Sequence, residues 1–183
     1  MLKKVFLIII IFLIYPLNLS ANEKNLIIAQ LLEVNNFNFD FEQASNKKKE
    51  TGNCILVFDS QLKCNYNDDK QKEIIINNQT LVVLHKRYDK KYFYPIKNSP
   101  FSKILNKKEL IQLISEADII IGENISLTYE NESKVLVFFD KKSYDFKGWS
   151  IIDNFNNEIL FSINIKSING NYDPGIFKIP SIN

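Results

Sequence analysis

Residues 52–101 read GNCILVFDSQLKCNYNDDKQKEIIINNQTLVVLHKRYDKKYFYPIKNSPF, and this stretch decides the fold. Short β-rich runs at 54–58, 62–66, 72–77, 80–85 and 92–95 are separated by polar turns. None of those turns is long enough to hold a crossover helix, so consecutive strands must be antiparallel neighbours in a meander. Pro95 and Pro100 then stop the sheet and hand the chain to a helical segment. A curved antiparallel sheet has to cover its concave face, and what covers it bears on function.

Working outward, residues 25–36 place Ile27, Ile28, Leu31, Leu32 and Val34 at helical spacing, with Asn35-Asn36 as the stop. Phe37, Phe39 and Phe41 alternate with Asn38 and Asp40, a period of two that makes a strand with an aromatic face. The polar, lysine-rich residues 43–51 read as a loop. Beyond Pro100, residues 101–105 and 107–117 read as two short helices sharing one apolar side. The sheet resumes at Ile119 and continues through 125–129, 134–140, 147–153 and 158–166. The expected class is α+β: one long antiparallel meander, interrupted midway by helices, curling so that helices cover one face.

The first residues have a different purpose. Lys3 and Lys4, an apolar run over 5–15, Pro16 and the small residues near Leu19-Ser20-Ala21 have the three-part layout of a secretory signal peptide over 1–21. The run is well short of the ~20 residues that span a bilayer. Residues 22–183 then form a single exported domain. Without Lys3 and Lys4 the chain carries 21 basic against 21 acidic residues, with no excess to neutralise phosphates, so a nucleic-acid partner is not expected.

Cys54 and Cys64 flank the first turn of the meander at near-facing positions, where a cross-strand disulfide is geometrically possible in an oxidising compartment. A zinc site would need more ligands, and His85 is the single histidine. His85 stands at a strand end beside Lys86-Arg87, without a nucleophile motif or phosphate loop to accompany it. Asp68-Asp69 reads as a solvated turn. No enzyme, metal or cofactor is expected. The chain's excess is in large apolar side chains, with 14 Phe, 8 Tyr and 1 Trp. Composition leaves two readings open: an ordinary filled core, or a concave apolar face roofed by helices.

The order of several motifs resembles the outer-membrane lipoprotein carrier family, LolA. A signal peptide is followed by Phe-x-Phe-x-Phe-x-Gln (37–43), then a Gly before a strand-turn-strand ending in Tyr66. Residues 74–84 (IIINNQTLVVL), Tyr94-Pro95 leading to Ser99-Pro100-Phe101 and Ile104-Leu105, Gly148-Trp149 and a final Phe177-x-x-Pro180 continue the likeness. Gly-x-Cys, Lys-Cys-x-Tyr and Tyr-Pro are similar to the alphaproteobacterial branch. The resemblance implies an incomplete antiparallel β-barrel with an α-helical lid over an apolar cavity. It implies a periplasmic carrier, expected as a monomer, that takes acylated lipoproteins from an inner-membrane ABC transporter and delivers them to an outer-membrane acceptor. An envelope lipid-sensing or regulatory domain on the same half-barrel is the alternative.

On this reading Leu105, Leu110, Leu113 and Ile114 line the acyl-chain cavity from the helices. Phe39, Phe41, Tyr66, Tyr94, Phe139, Trp149 and Phe161 line it from the sheet, although alternation alone does not select the face. The family's Lys-Arg-Pro in the first hairpin, whose Arg ties sheet to lid, is replaced here by Phe58-Asp59-Ser60.

Overall fold

The computed structural model describes residues 19–45, 48–97, 99–130, 134–152 and 157–180. The expected signal peptide falls outside them up to residue 18, and its last residues open the first helix, α1 (Leu19–Leu32). The strands follow as β1 (Asn36–Ser45), β2 (Lys48–Val57), β3 (Gln61–Tyr66), β4 (Lys72–Asn77), β5 (Thr80–His85) and β6 (Lys90–Pro95). Two helices come next, α2 (Pro100–Leu105) and α3 (Lys107–Glu116). The chain then forms β7 (Asp118–Ile121), β8 (Asn124–Glu130), β9 (Lys134–Asp140), β10 (Phe146–Ile152) and β11 (Glu158–Ile168).

All of these strands join one antiparallel sheet in the order β6-β5-β4-β3-β2-β1-β11-β10-β9-β8-β7. This corrects the single meander. Two meanders run outward from a central β1–β11 pair, where Phe39 faces Ile165 and Phe41 faces Ile163. The sheet's two free edges, β6 and β7, are consecutive strands, and α2–α3 is the bridge between them. Helices cross that gap because Ser99 caps α2 through Ser102 N–H, Pro100 occupies its first turn, and Asn106 caps α3 through Glu109 N–H.

Two local expectations also change. The supposed loop over 43–51 is strand on both sides: Glu42 faces Thr51, Gln43 faces Glu50, and Lys49 reaches Glu42 at 2.7 Å. Its charged residues alternate across a ladder and pair, so polarity here does not mean a loop. The first helix ends earlier than residue 36 because Asn169 intervenes. Its side chain accepts from Asn35 N–H (2.6 Å) and donates to Glu33 O (2.9 Å), stitching the α1–β1 turn to the end of β11.

Most buried side chains form one core on the concave face, under α1, α2 and α3. A second, smaller cluster lies on the outer face of β4 and β5, where Ile75, Val82 and Leu84 meet Phe93 and Ile179. The terminal segment turns at Pro174–Phe177 to cover this region. Asn77 Nδ2 donates to Phe177 O at 3.3 Å, and Phe177 is 1% exposed.

Candidate functional site

Period-two alternation puts Phe37, Phe39 and Phe41 of β1 on the concave face, and the ladder carries that face across the sheet. Cys54 faces Phe39 and Cys64 in turn, Phe161 faces Trp149, Trp149 faces Val137, and Val137 faces Leu127. The expected pair Cys54–Cys64 is a disulfide within this face, with Cα atoms 4.1 Å apart.

Nine aromatic rings touch one another across the concave face. From one end the belt runs Phe58, Phe37, Phe146, Trp149, Phe161, Phe41, Tyr66. Its tightest stacks are Trp149 on Phe161 (4.4 Å) and Phe161 on Phe41 (4.7 Å). Phe139 joins at Phe146, and Phe101 comes down from α2 onto Trp149 at 5.6 Å. Phe146 and Trp149 share a face although three residues apart, because the ladder shifts register between Phe146 and Gly148. Gly148 sits at φ +135°, and a Cβ there would fall 2.0 Å from Phe161 O, so only glycine fits the bulge.

The Tyr66 end of the belt is closed by polar groups. Tyr66 O–H donates to Gln43 Oε1 at 2.7 Å, and Lys72 Nζ lies 3.6 Å from the ring centroid while bonding Glu50 at 2.6 Å. Burial pushes the Tyr66 phenol well up, and the negative charges of Glu50 and Asp68 push it further. Burial also acts to raise Glu50, but hydrogen bonds and charge from Lys48 and Lys72 outweigh it and hold that carboxyl low.

The helices supply the cover. Ile104, Leu105, Leu110 and Ile114 are 0% exposed and Leu113 2%, all within the concave core. Polar ties to α3 lie at both its ends. At the start, Asp59 Oδ1 accepts from Lys107 N–H (2.9 Å), Ser60 N–H donates to Leu105 O (3.0 Å), and Lys107 Nζ reaches Leu32 O (3.4 Å). At the other end Lys24 of α1 donates to Ser115 O (3.1 Å) and Ala117 O (2.6 Å), satisfying carbonyls that a helix C-terminus leaves open. The Phe58-Asp59-Ser60 turn therefore does connect sheet to helices, through a carboxylate and a backbone amide.

Ten of the eleven residues expected to line a cavity come together here. Tyr94 is the exception: it faces Leu81 on the concave side, but β6 is a free edge of the sheet and Tyr94 is 50% exposed. Phe37, Phe58, Phe101 and Phe146 belong to the belt and were missed. Phe37 was legible from its phase with Phe39 and Phe41; Phe146 was not, because the bulge breaks the alternation.

The expected hollow takes a different form. A void large enough for water would leave its lining accessible, yet Phe39 and Phe139 are 1% exposed, Trp149 3%, Phe41 4% and Phe161 6%. In this conformation the side chains of the belt and the helices fill the space between them. Open clefts of about 460, 480 and 290 Å³ touch the margin of this site at Phe41, Tyr66 and Leu113 respectively, another of about 420 Å³ lies between α1 and the end of α3, and neither Trp149 nor Phe161 lines any of the four. Among the described residues no helix is long and apolar enough to cross a membrane, and no cluster of three or more His, Cys, Asp or Glu could hold a metal ion.

The site is thus an open antiparallel sheet with helices laid over an apolar concave face. Residues 32–180 match the family model of the outer membrane lipoprotein carrier protein LolA, and the chain belongs to that family. Among solved structures, an uncharacterised conserved protein from Thermus thermophilus superposes with TM-score 0.50 at 6% identity, over 88% of this chain and 94% of that one. Lipoprotein LppX from Mycobacterium tuberculosis gives 0.47 at 12% identity, over 84% and 97%. Pseudomonas aeruginosa MucB, solved with MucA, gives 0.45 at 10% identity, over 89% of this chain and 64% of that one. No curated protein sequence matches.

Proposed function

We propose that this protein is a periplasmic carrier that takes acylated lipoproteins from an inner-membrane ABC transporter, shields their acyl chains on the concave face, and passes them toward the outer membrane. The supporting observation is the belt of touching aromatic rings covered by two short helices that also bridge the sheet's free edges. Acyl chains enter when α2–α3 lifts and exposes Leu105, Leu110, Leu113 and Ile114 together with Phe39, Phe41, Tyr66, Phe139, Trp149 and Phe161. Tyr94 stands at the uncovered rim.

Magnitudes favour such an exchange. Lifting five buried aliphatic side chains into water costs on the order of 10 kcal/mol, at about 1.5–3 kcal/mol each. An acyl chain of about 15 methylenes regains a similar amount, at about 0.8 kcal/mol per methylene. Replacing one apolar cover with another leaves a small net free energy, which is what a carrier needs if the next acceptor is to remove its cargo. On this reading the 1–21 segment exports residues 22–183 to the space between the two membranes, and the binding role requires no catalytic residue.

The filled core favours a second reading, a structural or regulatory envelope domain that binds no lipid. A triacylated lipopeptide separates the two. The carrier reading expects a soluble one-to-one complex on gel filtration, and spheroplasts that shed lipoprotein only when the protein is added. Lipopeptide that stays aggregated, and spheroplasts that shed nothing, would leave the second reading standing.

A further inference from the structure

The hairpin formed by β5 and β6 carries chemistry that acyl binding does not use. Residues 85–97 read HKRYDKKYFYPIK, with five cations against the single anion Asp89. Without Lys3 and Lys4 the rest of the chain holds 16 basic against 20 acidic residues, so positive charge concentrates at this edge. Lys86 pairs with Glu73 at 2.7 Å and Arg87 donates to Asp69 O at 3.3 Å. Lys90, Lys91 and Lys97 have no ion pair among the described residues. Tyr88, Tyr92 and Tyr94 interleave with them and are 53, 42 and 50% exposed. Tyr92 and Tyr94 face Val83 and Leu81 across the ladder, and Leu81 already packs against the concave core.

From this arrangement we infer that the β5–β6 edge is a docking surface for an anionic phospholipid bilayer, presenting the open rim of the concave face to the lipid. Exposed phenols suit the headgroup layer, where an apolar ring and a polar tip are both satisfied. Lysines there are attracted to anionic headgroups without needing a fixed geometry, whereas recognition of a particular acidic protein favours the planar fork of arginine, and four of the five cations are lysine. The edge is also ill suited to a protein partner that would add a strand, since its lysines and Pro95 oppose such pairing. Docking is independent of acyl loading: vesicles read the first, and a lipopeptide offered without a membrane reads the second.

Flotation with vesicles of phosphatidylcholine alone, or mixed with phosphatidylglycerol, tests the inference. At low salt the protein should float with the mixed vesicles only and be released as salt rises. Removing Lys90 and Lys91 together as alanines should weaken partitioning roughly 25-fold, at roughly fivefold per cation. Lys141→Ala with Lys142→Ala, the same charge change on the exposed β9–β10 turn, should leave it unchanged. Tyr92→Ser with Tyr94→Ser should lower the binding that survives at higher salt. Failure to float with phosphatidylglycerol at low salt, or equal losses from the two lysine pairs, would overturn the inference and leave the hairpin to a protein partner.

Discussion

Asp59→Ala is the perturbation that bears most closely on the proposed lifting of the helices. The Asp59 carboxylate accepts from Lys107 N–H at 2.9 Å, in the first turn of α3. There it satisfies an amide with no partner inside the helix and opposes the positive end of the helix dipole. Asp59 is exposed, so the contact is screened, and its loss is comparable to the loss of an ordinary helix cap, about 1 kcal/mol. The closed state alone makes this contact, and 1 kcal/mol raises the open fraction roughly fivefold. Ser60 N–H still holds Leu105 O, and Asn106 still caps Glu109 N–H, so α3 itself should persist. Hydrogen exchange reads the change: α3 amides should exchange about fivefold faster while β1 and β11 keep their protection. Uptake of a fluorescent acyl probe should accelerate by the same factor, and Asp59→Asn, which keeps an oxygen acceptor, should change less. Exchange that is unaltered in α3, or that rises equally in β1, would refute the role of this turn as a latch.

Other consequences follow from the same packing. The Cys54–Cys64 bridge closes a loop of sequence separation 10, so Cys54→Ser with Cys64→Ser should cost about 2–3 kcal/mol, read as a lower melting temperature that reductant no longer shifts. Gly148→Ala should cost several kcal/mol, because its Cβ would strike Phe161 O at a backbone angle closed to alanine; a stable, soluble variant would mean the bulge is misdescribed. Tyr66 is raised from its ordinary value of 10.0, so the stability tied to its neutral form is fully present below pH 10. As pH climbs past 10 the unfolded chain ionises first and stability should fall; Tyr66→Phe should flatten that part of the melting profile.

Much of the fold was readable where local pattern and tertiary demand coincide. The strands at 72–77 and 80–85 match β4 and β5 because an Asn-rich turn stands between two β-branched runs. The helices after Pro100 were equally plain, since their caps and proline are local signals. The β1–β11 pairing was not, because joining the ends of the chain is a long-range event with no mark in either strand. The face of each strand also needed the register: Phe39, Phe41 and Phe161 could be ranked by size, but only the ladder puts them on one side. Phe146 was hidden by the register shift at Gly148, and the exposure of Tyr94 was not legible because nothing within β6 marks it as an edge strand.

The packed interior was the least legible feature, since the same aromatic residues serve a filled core and a greasy pocket equally well. Trp149 is the single tryptophan of the chain and lies at the centre of the belt, 4.4 Å from Phe161 and 5.6 Å from Phe101. Its fluorescence during titration with a lipopeptide brominated along its acyl chain therefore reports whether lipid reaches the concave face. The carrier account predicts saturable quenching that an unlabelled lipopeptide reverses by competition. Emission that stays constant while the lipopeptide binds, or while it fails to bind at all, would contradict it.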